Sequence, residues 1–241
     1  MSIESLEAIH NAVPLATVPL VILFPIWYAG RYEMKRSVAV MYSVAISVII
    51  LVFGYCCRWL GDLLRIPVSL NSARTFLFVP LFGWVLGKIW KLDTWQAIDF
   101  VTPQSFISRA IVMVGCTVLG CGNGVACDWG IYSPNRGYTV FPMDLIDVIA
   151  SFVIGIVALV YARRLQYRGN GRVFGLAMIC LGVARHLIQL GSADRYFGIR
   201  GFNEDAIISV ISVIMGAVIF QRNENRMQNI KKPMEDRYYE K

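Results

Sequence analysis

Two arginines sit inside apolar runs of this 241-residue chain. A guanidinium in hydrocarbon is expensive, so each needs a partner, a wet cavity or a function. Arg185, in "ICLGVARHLIQL", has Gln189 one turn further along and His186 on an adjacent face. A guanidinium meets a phosphate with two parallel hydrogen bonds, and the leading reading of Arg185 is therefore an anion binder. Its structural alternative is an ion pair with Asp99, Asp144 or Asp147. Arg109 either lies at mid-membrane or bonds to the backbone beside Pro103. Helical spacing puts Arg109, Met113 and Cys116 on one face, and if that face looks inward Arg109 and Arg185 line one cavity. Asp144 and Asp147 open the next apolar run, "PMDLIDVIA". Pro142 suits a first helical turn, and acids there complement the helix dipole. That role accounts for at least one of the two, leaving the other to meet an arginine.

Between these charges runs "GCTVLGCGNGVACDWG", residues 115–130. Gly115, Gly120, Gly122 and Gly124 permit close helix packing and positive φ. Broken backbone at membrane depth survives only where protein covers it or water fills a cavity. The stretch is expected to wall a polar pocket, with Asn123 as its hydrogen-bonding occupant. Cys116, Cys121 and Cys127 have no histidine nearby in the sequence and lack the paired spacing of a zinc site, so no metal is expected. Cys121 and Cys127 are candidates for a disulfide on an oxidising outer face. Cys56, Cys57 and Cys180 read as small packing residues. Neither a thiol nucleophile nor a cofactor is expected.

The elements that position these residues are spans. The chain is 56% hydrophobic and 16% charged, with a mean hydropathy of +0.56, too apolar for a water-exposed surface. Crossing a hydrocarbon core of about 30 Å takes roughly 20 apolar residues as helix. About seven such runs are present: Val13 to Gly30, Val38 to Leu60, Thr75 to Trp90, Ala97 to Leu119, Pro142 to Ala162, Val173 to Leu190 and Ala206 to Gln221. The expected class is an all-α, polytopic integral membrane protein. Residues 1–12 are expected as an external N-terminal arm, 13–221 as a seven-span membrane domain and 222–241 as a basic cytoplasmic tail. The opening "MSIESLEAIHNAVP" has acids where a signal peptide has a basic region, so the first span is expected to be retained.

The net charge of +7 is a matter of topology rather than of nucleic-acid binding, and no nucleic-acid partner is expected. Lys and Arg gather in "GRYEMKRS", "GKIWKLD", "ARRLQYRGNGR" and the tail, which share one side if seven spans alternate. The other side has Arg58, Arg65, Arg74, Arg136, Arg195 and Arg200. The positive-inside rule then puts the N-terminus outside and the C-terminus in the cytoplasm.

From Ala97 to about Asp194 the motifs resemble those of the bacterial prolipoprotein diacylglyceryl transferases. "AIDFVTPQSFISRAIVMVGCTVLGCGNG" looks like that family's Asp-x-x-x-Pro start followed by its glycine signature, commonly G-R-x-G-N-F-x-N-G-E-x-x-G, with a variant G-C-x-x-x-G-C-C-x-G that is closer to the sequence here. "PMDLID" is similar to P-x-Q-L-Y-E, and "GRVFGLAMICLGVARHLIQL" to a G-x-x-F, then Y-G-x-x-R-F-x-x-E run. Gly115, Gly120, Gly124, Pro142, Leu145, Gly182 and Arg185 fall on matching positions. The family's signature arginine, asparagine and glutamate fall at Met113, Cys116 and Cys121, and the acid after the last arginine falls at Gln189. Its H-G-G motif faces "FVPL" at Phe78 to Leu81, and the loop ending at Phe141 is too short for its periplasmic head domain.

The resemblance implies a bacterial inner-membrane protein that takes a phosphatidylglycerol-like phospholipid and, if it is active, a prolipoprotein signal peptide. The expected lipid contacts are Arg185, Arg109, Asn123, Gly115, Gly120 and Gly124. The expected catalytic residues are Arg185 and Arg109 on the phosphate, with Asp147, where the family has Glu, as acid or base. The alternative is a catalytically silent homologue acting as a structural or assembly subunit of a larger membrane complex.

Overall fold

A computed structural model describes residues 3–64, 77–122, 124–165, 169–192 and 206–222. Asn123 lies outside the described residues, as do Arg65, Arg74, Thr75, Arg195, Arg200 and the tail beyond Arg222.

The apolar runs become helices: α1 (Ile3–Ala12), α2 (Val18–Tyr28), α3 (Arg36–Leu64), α4 (Val79–Trp90), α5 (Thr94–Leu119), α6 (Met143–Arg164), α7 (Arg172–Gln189) and α8 (Ala206–Arg222). A 3₁₀ turn over Val13–Thr17 joins α1 to α2, so Ile3–Tyr32 forms one continuous helical rod of 30 residues. That rod, Arg36–Gly54, α5, α6 and α7 are each long and apolar enough to cross a bilayer, while α4 and α8 are shorter apolar helices. The chain is a helical, multi-pass membrane protein.

α5 is the most enclosed of the five, with 61% of its apolar window buried against 22% for α3. It packs most extensively on α6 and also meets α1, α2, α4 and α7. Centrality suits its composition, because Asp99, Thr102, Gln104 and Arg109 are all buried along it. In lipid there is no hydrophobic drive between helices, and interior polar groups must be matched by protein. The apolar residues turned outward, such as Val153, Ile156 and Val160 on α6, face a solvent as oily as themselves.

Aromatic rings lock α2 to α5. Tyr28 stacks on Phe100 at 5.9 Å between centroids, and Tyr32 meets the same ring edge-on at 5.6 Å. Two carboxylates cap helices. Asp93 accepts from the Trp95 and Gln96 amides, both at 3.0 Å, and starts α5. Asp99, buried one turn into α5, accepts from the amides of Gly171 at 2.8 Å and Phe174 at 3.0 Å. It therefore serves as the N-terminal cap of α7, where bare amides and the helix dipole favour an anion. This removes Asp99 from the expected partners of Arg185.

One element was not expected. The segment after α5 forms an antiparallel hairpin, β1 (Ala126–Ser133) and β2 (Tyr138–Val140), with Tyr132 opposite Thr139 and Ser133 opposite Tyr138. "SPNRG" supplies its turn, and Gly137 takes the positive φ of 74°. The amide of Val125 donates to the Gly191 carbonyl at 3.0 Å, so the strands are anchored at the end of α7.

Candidate functional site

Three helices meet at one ionic cluster. Arg109 projects from α5, Asp147 from the second turn of α6 and Arg185 from the last turns of α7. The Arg109 guanidinium donates to both oxygens of Asp147, Nη1 to Oδ1 at 2.9 Å and Nη2 to Oδ2 at 2.6 Å. This is the fork-to-fork geometry of the strongest guanidinium–carboxylate pairs. Arg109 Nη1 also donates to the Ser151 hydroxyl, one turn after Asp147. Arg185 Nη1 donates to Oδ2 of the same aspartate at 3.1 Å. Side-chain exposure falls from 13% at Arg185 to 3% at both Arg109 and Asp147.

Asp147 therefore bridges two cations on different helices. Of the three sequence candidates for pairing Arg185, Asp147 is the residue used, and Arg109 bonds to it as well. Register explains the choice. Asp144 lies one turn earlier on α6 and turns toward the end of α5, where its Oδ2 accepts from the Gly122 amide at 2.7 Å. Gln189, one turn beyond Arg185, is buried with an Oε1 that has no hydrogen-bond partner. His186 is exposed and stands on a different face from Arg185.

The glycines are explained by what lies over them. Gly115 is overlain by His10 of α1, whose Nδ1 would stand 3.2 Å from an added Cβ. Gly120 ends α5 at φ 74°, with its amide donating to the Cys116 carbonyl at 2.8 Å. Gly124 lies beneath the Phe141 carbonyl and bridges to Ser192. A small cleft at this end is lined by Thr117, Gly120, Gly122, Ser133 and Asp144 among others. Gly120 thus lines the cleft, whereas Arg109, Arg185, Gly115 and Gly124 do not.

The described cysteines carry free thiols. Cys121 lies beside Cys116, and the hydrogen bond from that thiol holds the Cys121 thiol below its ordinary range. The histidine missing from the neighbouring sequence arrives from α1. Potential ligand atoms of His10, Cys116 and Cys121 all lie within 4.8 Å of one another. Sequence spacing carried no sign of this, because more than a hundred residues separate His10 from Cys116.

Comparison with known proteins gives two matches. A family model described as prolipoprotein diacylglyceryl transferase matches residues 74–222, more than half of the chain. A protein of Clostridium tetani named phosphatidylglycerol–prolipoprotein diacylglyceryl transferase is 24% identical over 143 residues, covering 56% of this chain and 57% of that relative. The chain thus spans little more than half the length of the curated relative it matches. No solved structure matches.

Proposed function

The chain belongs to the prolipoprotein diacylglyceryl transferase family, and from that premise we propose that it holds an anionic phospholipid headgroup at the Arg109–Asp147–Arg185 cluster. The observation that carries this reading is the sharing of one buried carboxylate by two arginines from different spans. Asp147 holds Arg109 with two hydrogen bonds and Arg185 with one, and Arg185, the most exposed of the three, carries a guanidinium of the kind that matches a phosphate. The lipid is of the phosphatidylglycerol type, the donor in the curated relative's name.

Transfer of a diacylglyceryl group to a prolipoprotein cysteine needs the cysteine thiol deprotonated and the departing glycerol phosphate stabilised. Arg109 and Arg185 suit the second task. Asp147 stands closest to them, but both its oxygens accept from guanidinium groups, which suits orienting the arginines better than accepting a proton. That engagement favours a second reading: a catalytically silent homologue that keeps the lipid site and acts as a structural or assembly subunit of a membrane complex.

We place the protein in the bacterial inner membrane with seven spans, α4 and α8 included. Its basic residues support this orientation. Arg31 at the end of α2 donates to the Arg163 carbonyl at the end of α6, and Arg172 at the start of α7 lies 4.6 Å over the Phe220 ring. These ends lie away from the hairpin and face the cytoplasm. The N-terminus is then outside, with residues 13–221 as the membrane domain.

Purified protein is expected to retain phosphatidylglycerol, measured by mass spectrometry of extracted lipid, and Arg185→Ala to lose most of it while remaining monodisperse. Equal retention by both proteins sinks the lipid site. Rescue of a transferase-depleted strain by the wild-type chain rejects catalytic silence, whereas co-purification of stoichiometric partners without rescue supports it.

A further inference from the structure

The cluster at the end of α5 that faces α1 has no part in the lipid reading. His10 lies against Gly115, and the absence of a side chain there lets the imidazole reach α5, its Nδ1 3.2 Å from where a Cβ would stand. That Nδ1 is buried and has no hydrogen-bond partner. An imidazole nitrogen buried without a hydrogen-bond partner is costly, so such a site invites a ligand. Cys116, one residue along α5, and Cys121, just past its Gly120 cap, bring two sulfurs to the same place, every candidate ligand atom lying within 4.8 Å of the others. Asp144, anchored on the Gly122 amide, adds a carboxylate at the edge of the group.

We propose that His10, Cys116 and Cys121 bind a zinc ion that ties α1 to the end of α5. The donor set is that of a Cys₂His site with its fourth position left to water. Tetrahedral zinc at about 2.0–2.3 Å from its ligands holds them roughly 3.5–3.8 Å apart, so side-chain rotations that draw the three together by about 1 Å complete the site. Charge selects a divalent ion. Two thiolates neutralise zinc, while a cuprous ion would leave the site net negative beside the Asp144 carboxylate. Thiols release their protons to solvent on binding, and the site draws on no redox chemistry.

The test uses the full chain purified in detergent under reducing conditions, with cobalt(II) as the spectroscopic probe and zinc as competitor. One cobalt per chain is expected, with thiolate-to-cobalt charge-transfer bands and the intense visible bands of a tetrahedral ion, displaced stoichiometrically by zinc. Cys116→Ser, Cys121→Ser and His10→Ala should each weaken binding by more than the roughly 10–100-fold typical of losing an outer-shell partner. Cys127→Ser should leave it unchanged. The serine variants are nearly isosteric, and monodispersity on gel filtration confirms that they fold. Three outcomes overturn the site: no charge-transfer bands, undiminished affinity in the Cys116→Ser and Cys121→Ser proteins, or tight binding of cuprous ion with none of zinc. Retention of phosphatidylglycerol by the same preparations is read separately, so failure of the metal site leaves the lipid reading standing.

Discussion

Asp147 is the residue on which the cluster turns. Removing one partner of a buried ion pair leaves an uncompensated charge, typically at a cost of about 3–5 kcal/mol. Here two guanidinium groups would lose their shared anion. Asp147→Ala is therefore expected to lower the midpoint of thermal unfolding in detergent more than Arg185→Ala, which leaves the bidentate Arg109–Asp147 pair intact. Similar melting of the two variants would show that the three side chains do not act as a unit. The need for a partner was legible in the sequence, since an arginine in an apolar run must be matched. The identity of the partner was not, because Asp99, Asp144 and Asp147 are equally available on paper. Their three destinations, the start of α7, the Gly122 amide and the two arginines, follow from where each helix turns its face.

At the scale of elements, α5 has the strongest constraints. Its two ends do different work: Asp99 near the start caps α7, and the last turn carries Gly115 and Cys116 against α1. Loss of a cap costs about 0.5–2 kcal/mol, and the figure here should sit at the upper end because the Gly171 and Phe174 amides have no water to turn to. Asp99→Ala should lower the thermal midpoint and speed backbone hydrogen exchange in the first turn of α7, and exchange that rises evenly along α7 would refute the capping role. Most span boundaries were readable from run length: the helices over the second, fourth, fifth, sixth and seventh apolar runs fall within a few residues of the expected bounds, while the start of the third lies outside the described residues. The rod formed by α1 and α2 was not readable. Glu4, Glu7 and His10 make residues 1–12 look like an aqueous arm, yet Leu6 is buried and α1 packs on α5. The hairpin escaped for a different reason. A two-stranded ribbon needs only a turn and some alternation, a pattern too short to stand out from a loop.

For the molecule as a whole, the placement of Lys and Arg is the ground of the proposed orientation. If the basic ends of α2, α6 and α7 lie in the cytoplasm, green fluorescent protein fused after Lys241 should fluoresce. Alkaline phosphatase inserted in the hairpin turn at Asn135 should be active. The reverse pattern would invert the topology and put the zinc ligands in the cytoplasm. A reducing compartment would keep Cys116 and Cys121 as thiols without help from a metal.

Hydrophobic run length and a few spaced motifs were enough to establish a helical membrane protein of this family, because each depends on composition along a single segment. Which carboxylate joins Arg109 to Arg185, why Gly115 has no side chain, and how His10 comes to stand beside two cysteines required the packed helices. Those contacts link residues tens to more than a hundred positions apart, and helix rotation and register, which no single segment encodes, decide which of them meet.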